Sequence, residues 1–484
     1  MVFLIFPTQL FYDLKHLNKD NNELILLIEE PRYFTDFGFH KLKLAYHRAS
    51  MKKYYDMLIK KDYNVKYIDF NKVTNDFYTK LKNVKYIDPN DFKLEKKLKK
   101  IKDSIKLENI NFLIKSTELD NIKKLIYKNN KYSHANFYKY QRIKLNILID
   151  EHNNPVQNKW SFDTENRLPL PKDHKPIKLI NKVKINEYIK EAIKYTNKHF
   201  SKNYGSLDNF IYPIDNKGAK LWLNKFLKER LKLFGKYQDA VSKDDHFINH
   251  SVLSPMMNIG ILTDYEVVTI SYNYYLKHKK QITIESFEGF IRQVIGWRNY
   301  VFTIYKLEGD EMIKSNLLNH QNKINDKFWL GTTGIEPIDN IIKNIVEYSY
   351  AHHIERLMYL GNFLLLCLIH PTQVYNIFME WTIDAYDWVM VPNVYGMSQY
   401  AIGNKMMTRP YFSSSNYIHK MSNYKKGEWS TIWDALYYNF INKHQTLFKK
   451  NYAIAQQVNN WNNKNKDEQN ELIKIAKNYL NNLF

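Results

Sequence analysis

The chain has a single cysteine, Cys367, among its 484 residues. One thiol cannot build a disulfide, a zinc cluster or an iron–sulfur cluster within the chain, and no metal site is expected. Cys367 lies in the apolar run LLLCLI and reads as core packing. Glycine is also scarce. Of 14 glycines only Gly38 falls in the first 200 residues, so a dinucleotide fingerprint of the G-x-G-x-x-G type is excluded there. No apolar run reaches the ~18 residues of a membrane span. The opening MVFLIF is stopped by Pro7 and has no basic flank, so it reads as a buried strand rather than a signal peptide. These absences predict a soluble, intracellular protein (cytoplasmic, nuclear or virus-associated). It is expected to be a monomer.

What is present is aromatic and basic. Hydrophobic residues make up 44% and aromatics 15%, enough for a large core, and the length calls for more than one domain. Lys and Arg number 72 against 50 acidic residues, a net charge of +22. Such a chain attracts polyanions, nucleic acid above all, although A/T-rich codon usage also enriches surface lysine. The first ~125 residues alternate short buried runs with helical patterns. The runs are VFLIF (2–6), ELILLIE (23–29), NVKYIDF (64–70), VKYID (84–88) and NFLIKS (111–116). Between the second and third lies the helical HKLKLAYHRASMKKYYDMLIKK. This pattern predicts a Rossmann-like α/β domain with a parallel sheet over 1–130. A connection with three prolines in 158–176 occupies 131–185, and a larger all-α domain fills 186–484. The Asn/Lys-rich tail reads as a solvated helix and loop.

Several stretches carry chemistry. In YSYAHHIERLMYLGNF (348–363), read as one helix with the apolar residues around it, His352 and His353 point about 100° apart, with Arg356 one turn on. A guanidinium in such a setting needs an acidic or phosphate partner. Asp384, in WTIDAYDWVMVPNVYGM between Trp381 and Trp388, is the expected partner; Asp387 follows one turn later. Ser251 and Ser254 precede a proline fit for a helix's first turn, a place suited to phosphate. SFEGFIRQVIGWRNY sets Glu288, Arg292, Gln293, Trp297 and Arg298 on an otherwise apolar helix, which turns them toward a cleft. TRPYFSSSNYIHKM interleaves Arg409, Tyr411, Tyr417, His419 and Lys420, a composition suited to an extruded base and its phosphates.

Taken in order, KWSFDTENR, FGKYQDAV, LSPMMNIG, EGFIRQVIGWRNY, YAHHIERLMYLGNF, DAYDWVMVPNVYGMSQ and RPYFSSSNYIHKMS resemble the cryptochrome/photolyase superfamily. The likeness is to its photolyase-related branch of bacterial (6-4) photolyases and iron–sulfur cryptochromes, and it spans nearly the whole chain. The resemblance implies the photolyase fold and a noncovalent FAD in the helical domain. Ser251 and Ser254 would meet its phosphates. Glu288, Arg292, Trp297 and Asn362 would line its pocket, and Arg356 with Asp384 would sit at the flavin's polar edge. The implied reaction is light-driven electron transfer from reduced flavin to a flipped (6-4) pyrimidine dimer in UV-damaged DNA. His353 would be its proton donor, supported by His352, with Tyr411, Tyr417 and Met397 shaping the lesion pocket. Arg298, Arg409 and Lys420 would contact DNA. A ribityl-lumazine-type antenna in the α/β domain is a further implication. A blue-light photosensor that binds FAD without repair is the alternative, and an inactive DNA-binding protein the third reading.

Two departures from the branch stand out. Pro337 and Lys425 occupy places where it carries cluster-ligating cysteines, so no iron–sulfur cluster is expected; Trp429, Ile432 and Trp433 are expected to fill the gap. The branch also feeds its flavin through aromatic side chains. Trp329 keeps one of those places, but the expected Trp-Tyr pair reads Ile377-Phe378. Trp381 and Trp388 are the candidate substitutes.

Overall fold

A computed structural model describes residues 1–19, 23–177, 183–407 and 410–484. Its amino-terminal part is a parallel sheet of five strands in the order β3-β2-β1-β4-β5. They are β1 Val2–Ile5, β2 Leu24–Ile28, β3 Val65–Ile68, β4 Lys82–Ile87 and β5 Lys102–Leu107. The central β1 sets Phe3 beside Ile25 of β2 and Val2 beside Val84 of β4.

Four of the five expected runs form strands; the fifth does not. NFLIKS is a loop, and the more polar KDSIKL takes the edge instead. The apolar side chains of 111–116 are used elsewhere. Phe112 stacks on Phe302 at 3.9 Å, and the Leu113 N–H donates to Asn299 Oδ1 at 2.9 Å. The segment is therefore a seam onto the helical region. Lysines along β5 suit an exposed edge, because charge discourages pairing with another chain.

Helix α1, Lys41–Lys60, forms where the periodicity places it. His40 caps it, its Nδ1 accepting from the Leu42 N–H at 3.0 Å. A Cβ at Gly205, where φ is +88°, would stand 1.9 Å from the His40 ring, so glycine is required at that crossing. From Glu187 onward the described regular elements are helical. The helix expected through HHIER is two helices. Glu336–Tyr348 ends at Ser349 in the left-handed conformation (φ 53°), and the next begins at His353. This break puts His352 at a helix start, not mid-helix.

Three helices contain a π-helical turn: Arg292–Arg298, Glu355–Gly361 and Pro392–Ser398. The tail folds as helices Tyr452–Asn462 and Lys466–Leu483, burying Ile454, Val458 and Trp461. Among the described residues, no helix is long and apolar enough to cross a membrane.

Candidate functional site

The three π-turns wall one cavity of about 670 Å³. Arg292, Trp297 and Arg298 come from the first, Arg356 and Met358 from the second, Asn393 and Met397 from the third. A π-turn widens the helix and redirects side chains, which is why such turns gather at functional sites. The second and third turns touch closely. A Cβ on Gly361 would lie 2.8 Å from Ser398 Cβ and 2.7 Å from the Arg356 carbonyl.

Inside the cavity Arg356 Nη2 meets Asp384 Oδ1 at 2.8 Å, the pairing expected from the sequence. Ser254 Oγ donates to Asp384 Oδ2 at 2.5 Å, and Asn258 Nδ2 donates to the Asp384 carbonyl at 2.7 Å. The loop bearing Asp384 is held from behind by the α/β region. Lys43 of α1 donates to the Ala385 carbonyl at 2.5 Å and the Met379 carbonyl at 3.3 Å; His47 Nε2 bonds the Tyr386 hydroxyl at 2.7 Å. Burial pulls the Lys43 ammonium down to about 7, against the attraction of Asp384. Arg32 bonds Asp91 (2.7 Å) and Asp387 (2.6 Å) across the same seam.

His353 stands on the cavity wall, its side chain 44% exposed and its Nε2 3.6 Å from Asp239 Oδ1. Behind it His352 is buried and stacked on His250, with ring centroids 4.2 Å apart. Burial, then the neighbouring imidazoles, hold His352 well below the ordinary histidine range; burial and His353 do the same to His250. The arrangement offers a buried ion pair at the centre of a mixed aromatic and polar chamber, and a solvent-reaching imidazole at its wall.

The family model for deoxyribodipyrimidine photo-lyase-related proteins matches residues 3–212. A (6-4) photolyase of Agrobacterium fabrum is 35% identical over 361 residues, covering 72% of this chain and 70% of its own. The chain belongs to the photolyase-related family of the cryptochrome/photolyase superfamily. The fold agrees. A bacterial class III photolyase from Agrobacterium tumefaciens superposes with a TM-score of 0.55 at 15% identity, over 87% of this chain and 86% of its own. A Synechocystis cryptochrome gives 0.56 at 13% identity, over 87% and 88%.

In this photolyase-related chain Ser251, Ser254, Arg292, Trp297, His353, Arg356, Asp384, Trp388, Met397, Tyr411 and Tyr417 all line the cavity. Other expected residues take different places or partners. Glu288 is fully buried behind Arg292, bonding its Nε at 3.1 Å. The resemblance implied that it lines the pocket. Asn362 is also buried, and its amide donates to Ser413 Oγ at 3.0 Å, so it tethers the 410–417 segment. The Ser254 hydroxyl, expected at a phosphate, is given to Asp384. Arg298, expected at DNA, is held inward by Asp264 (2.6 Å) and Asn258, with its guanidinium over Phe112 and Trp388. Lys420 is exposed, while Arg409 lies outside the described residues. Trp381 and Trp329 are neighbours at 5.9 Å, and Trp381 reaches the cavity-lining Phe378 at 6.3 Å.

Sequence reasoning missed Lys43, Asn258, His250 and Asn393, as well as Gln457 of the tail helix, which also lines the cavity. The spacing His40, Lys43, His47 along one helix is the only sequence signal of the rail behind Asp384.

Two regions bear on the groups that the branch carries. The switch point of the sheet lies between β1 and β4, where open α/β sheets bind ligands. Gln9 bridges it, donating to the Ile87 carbonyl at 2.8 Å and accepting from the Phe6 N–H at 3.4 Å. The space left beside Tyr33 and Asn90 is about 10 Å³, room for about one water. That space is smaller than a ribityl-lumazine. A four-thiolate cluster has no ligands either. Cys367 is fully buried, its thiol pushed up by burial, and near Lys425 the indoles of Trp429 and Trp433 are buried, with Ile432 partly so.

Proposed function

We propose that the protein performs light-driven, FAD-dependent repair of pyrimidine dimers in DNA, of the (6-4) type, with His353 as proton donor. The observation that carries this reading is the Arg356–Asp384 pair inside a cavity whose wall presents a half-exposed histidine. FAD supplies, when reduced and excited, an electron for the lesion. The residues present fit it. Arg292 and Arg298 each keep a buried Nη2 without a hydrogen-bond partner, donors suited to a diphosphate. Asp384, neutralised by Arg356, accepts a hydrogen bond from an imide-like edge. Tyr411, Tyr417 and Met397 give a flipped pyrimidine dimer its walls, and exposed Lys420 serves the DNA phosphates.

Photoreduction runs, in this reading, from Tyr204 to Trp329 (5.1 Å), to Trp381 (5.9 Å) and past Phe378 into the cavity. Phe378 is a poor electron donor, so this route is weak; repair needs only reduced flavin, whereas the alternative, a photosensor, depends on the route. The deciding experiment gives chemically reduced protein (6-4) DNA and blue light. Restored thymines, abolished by His353→Ala, are the expected result. Flavin photoreduction without repair of any dimer would make it a sensor; repair of cyclobutane dimers alone would change the lesion.

A further inference from the structure

Beside the cavity stands a buried carboxylate, Glu355, with no guanidinium or ammonium within ion-pair distance among the described residues. Glu355 is 1% exposed. Among the described residues its ion-pair partners are imidazoles only: His246 Nδ1 at 3.7 Å and His352 Nε2 at 3.6 Å. Its Oε2 also accepts the His352 backbone N–H at 3.0 Å, closing the helix start. Both ring nitrogens of His246 and of His352 are buried without a hydrogen-bond partner. A lone carboxylate so deep, with two neutral imidazoles, is a costly net charge; one added proton makes the group neutral.

This group adjoins His353. One ring nitrogen each of His250, His352 and His353 lies within 4.8 Å of the others. One water closes such a gap with two hydrogen bonds of about 2.8 Å. We propose that Glu355, shared between His246 and His352, is a buried proton store that keeps His353 charged. The step conserves charge. An O–H bond at Glu355 breaks, an N–H forms on His352, and its other nitrogen passes a proton to His353. The carboxylate left behind then stabilises the imidazolium. Glu355 acts through His353 and is a positioning residue; the inference rests on the reading of His353 as proton donor.

Other charges face the pair. Asp239 lies against His353, with Arg167 and Tyr417 beyond it. Arg230, near Asp245, acts on His250, and Arg356 on His352. Tyr350, Tyr359 and Tyr424 surround Glu355. Asp239 favours the charged His353 from the outside, so the store must show as an effect beyond it.

The test is histidine NMR titration of the full chain without DNA. In the unmodified protein, the His246 or His352 resonances are expected to move together with those of His353. In Glu355→Gln the His353 midpoint should fall by about one pH unit, while Glu355→Asp keeps it. Silent His246 and His352 across the His353 titration, or an unchanged midpoint in Glu355→Gln, overturns the proposal, and the first needs no variant to fold. Repair assays add an independent arm: the alkaline limb should shift acidward by the same amount in Glu355→Gln. Loss of rate at every pH alike would mean a merely structural role. If the unmodified protein repairs no (6-4) lesion, the proton-donor reading fails while the NMR result still stands.

Discussion

The α/β region and the helical region each contain a crevice where a ligand belongs, and they are finished in opposite ways. At the sheet's switch point the protein fills the space itself, with Gln9, Tyr33 and the Arg32–Asp91–Asp387 bridge. In the helical region the polar groups stop short, leaving about 670 Å³ and unpartnered guanidinium nitrogens. Side chains fill the closed crevice, and unpartnered guanidinium nitrogens mark the open one. Fold alone does not tell them apart.

The comparison can be broken at its firmest point first. Arg32→Met removes a cation only 2% exposed between two carboxylates and should cost about 3–5 kcal/mol in urea unfolding; a loss under ~1 kcal/mol would mean the closed crevice is not held by charge. Lys43, which joins the two regions, predicts a pH effect. Its folded pKa of about 7 lies below the unfolded value, so between pH 7 and 10 the unfolded chain binds the extra proton and stability rises with pH. The rise should be about 2–4 kcal/mol and should vanish in Lys43→Met; equal slopes in both proteins would refute it. Gln9→Ala leaves the Ile87 carbonyl unpartnered and should cost about 1–3 kcal/mol. The unmodified protein's extracted chromophore should be FAD alone, and a second chromophore would show that the crevice opens. Last, Trp381→Phe should slow photoreduction about tenfold while leaving repair by chemically reduced protein unchanged, about 1.4 kcal/mol on one step; transient absorption reads the first and a repair assay the second.

Much of this was legible in the sequence, and the failures share a cause. The inner strands β1 and β2 announced themselves because a strand covered on both faces must be apolar throughout, and β3 and β4 keep enough apolar residues to be read with them. Arg356 pointed to Asp384 because a charge on an apolar helix requires a partner. The edge strand β5 was hidden, since its residues answer to solvent, while NFLIKS looked like a strand because docking onto Phe302 and Asn299 selects the same apolar residues. The break at Ser349 has no glycine or proline to signal it. Glu288 and Arg292 share a helix face at i,i+4 spacing, which does not tell that Glu288 lies behind Arg292 rather than on the pocket wall. The tail helix beside the cavity was unreadable: its Asn-rich outer face dominates the composition, and Ile454 and Gln457 face inward singly.

The π-turns carry one more consequence. Each equals a single extra residue threaded into a helix, and one residue corresponds to a rotation of about 100° for everything downstream. Deleting any one residue from Arg292–Arg298, Glu355–Gly361 or Pro392–Ser398 would thus not trim the site locally. It would turn the following helix as a rigid body. The reading frame of this site is kept by three insertions, and it tolerates substitution far better than a change of length.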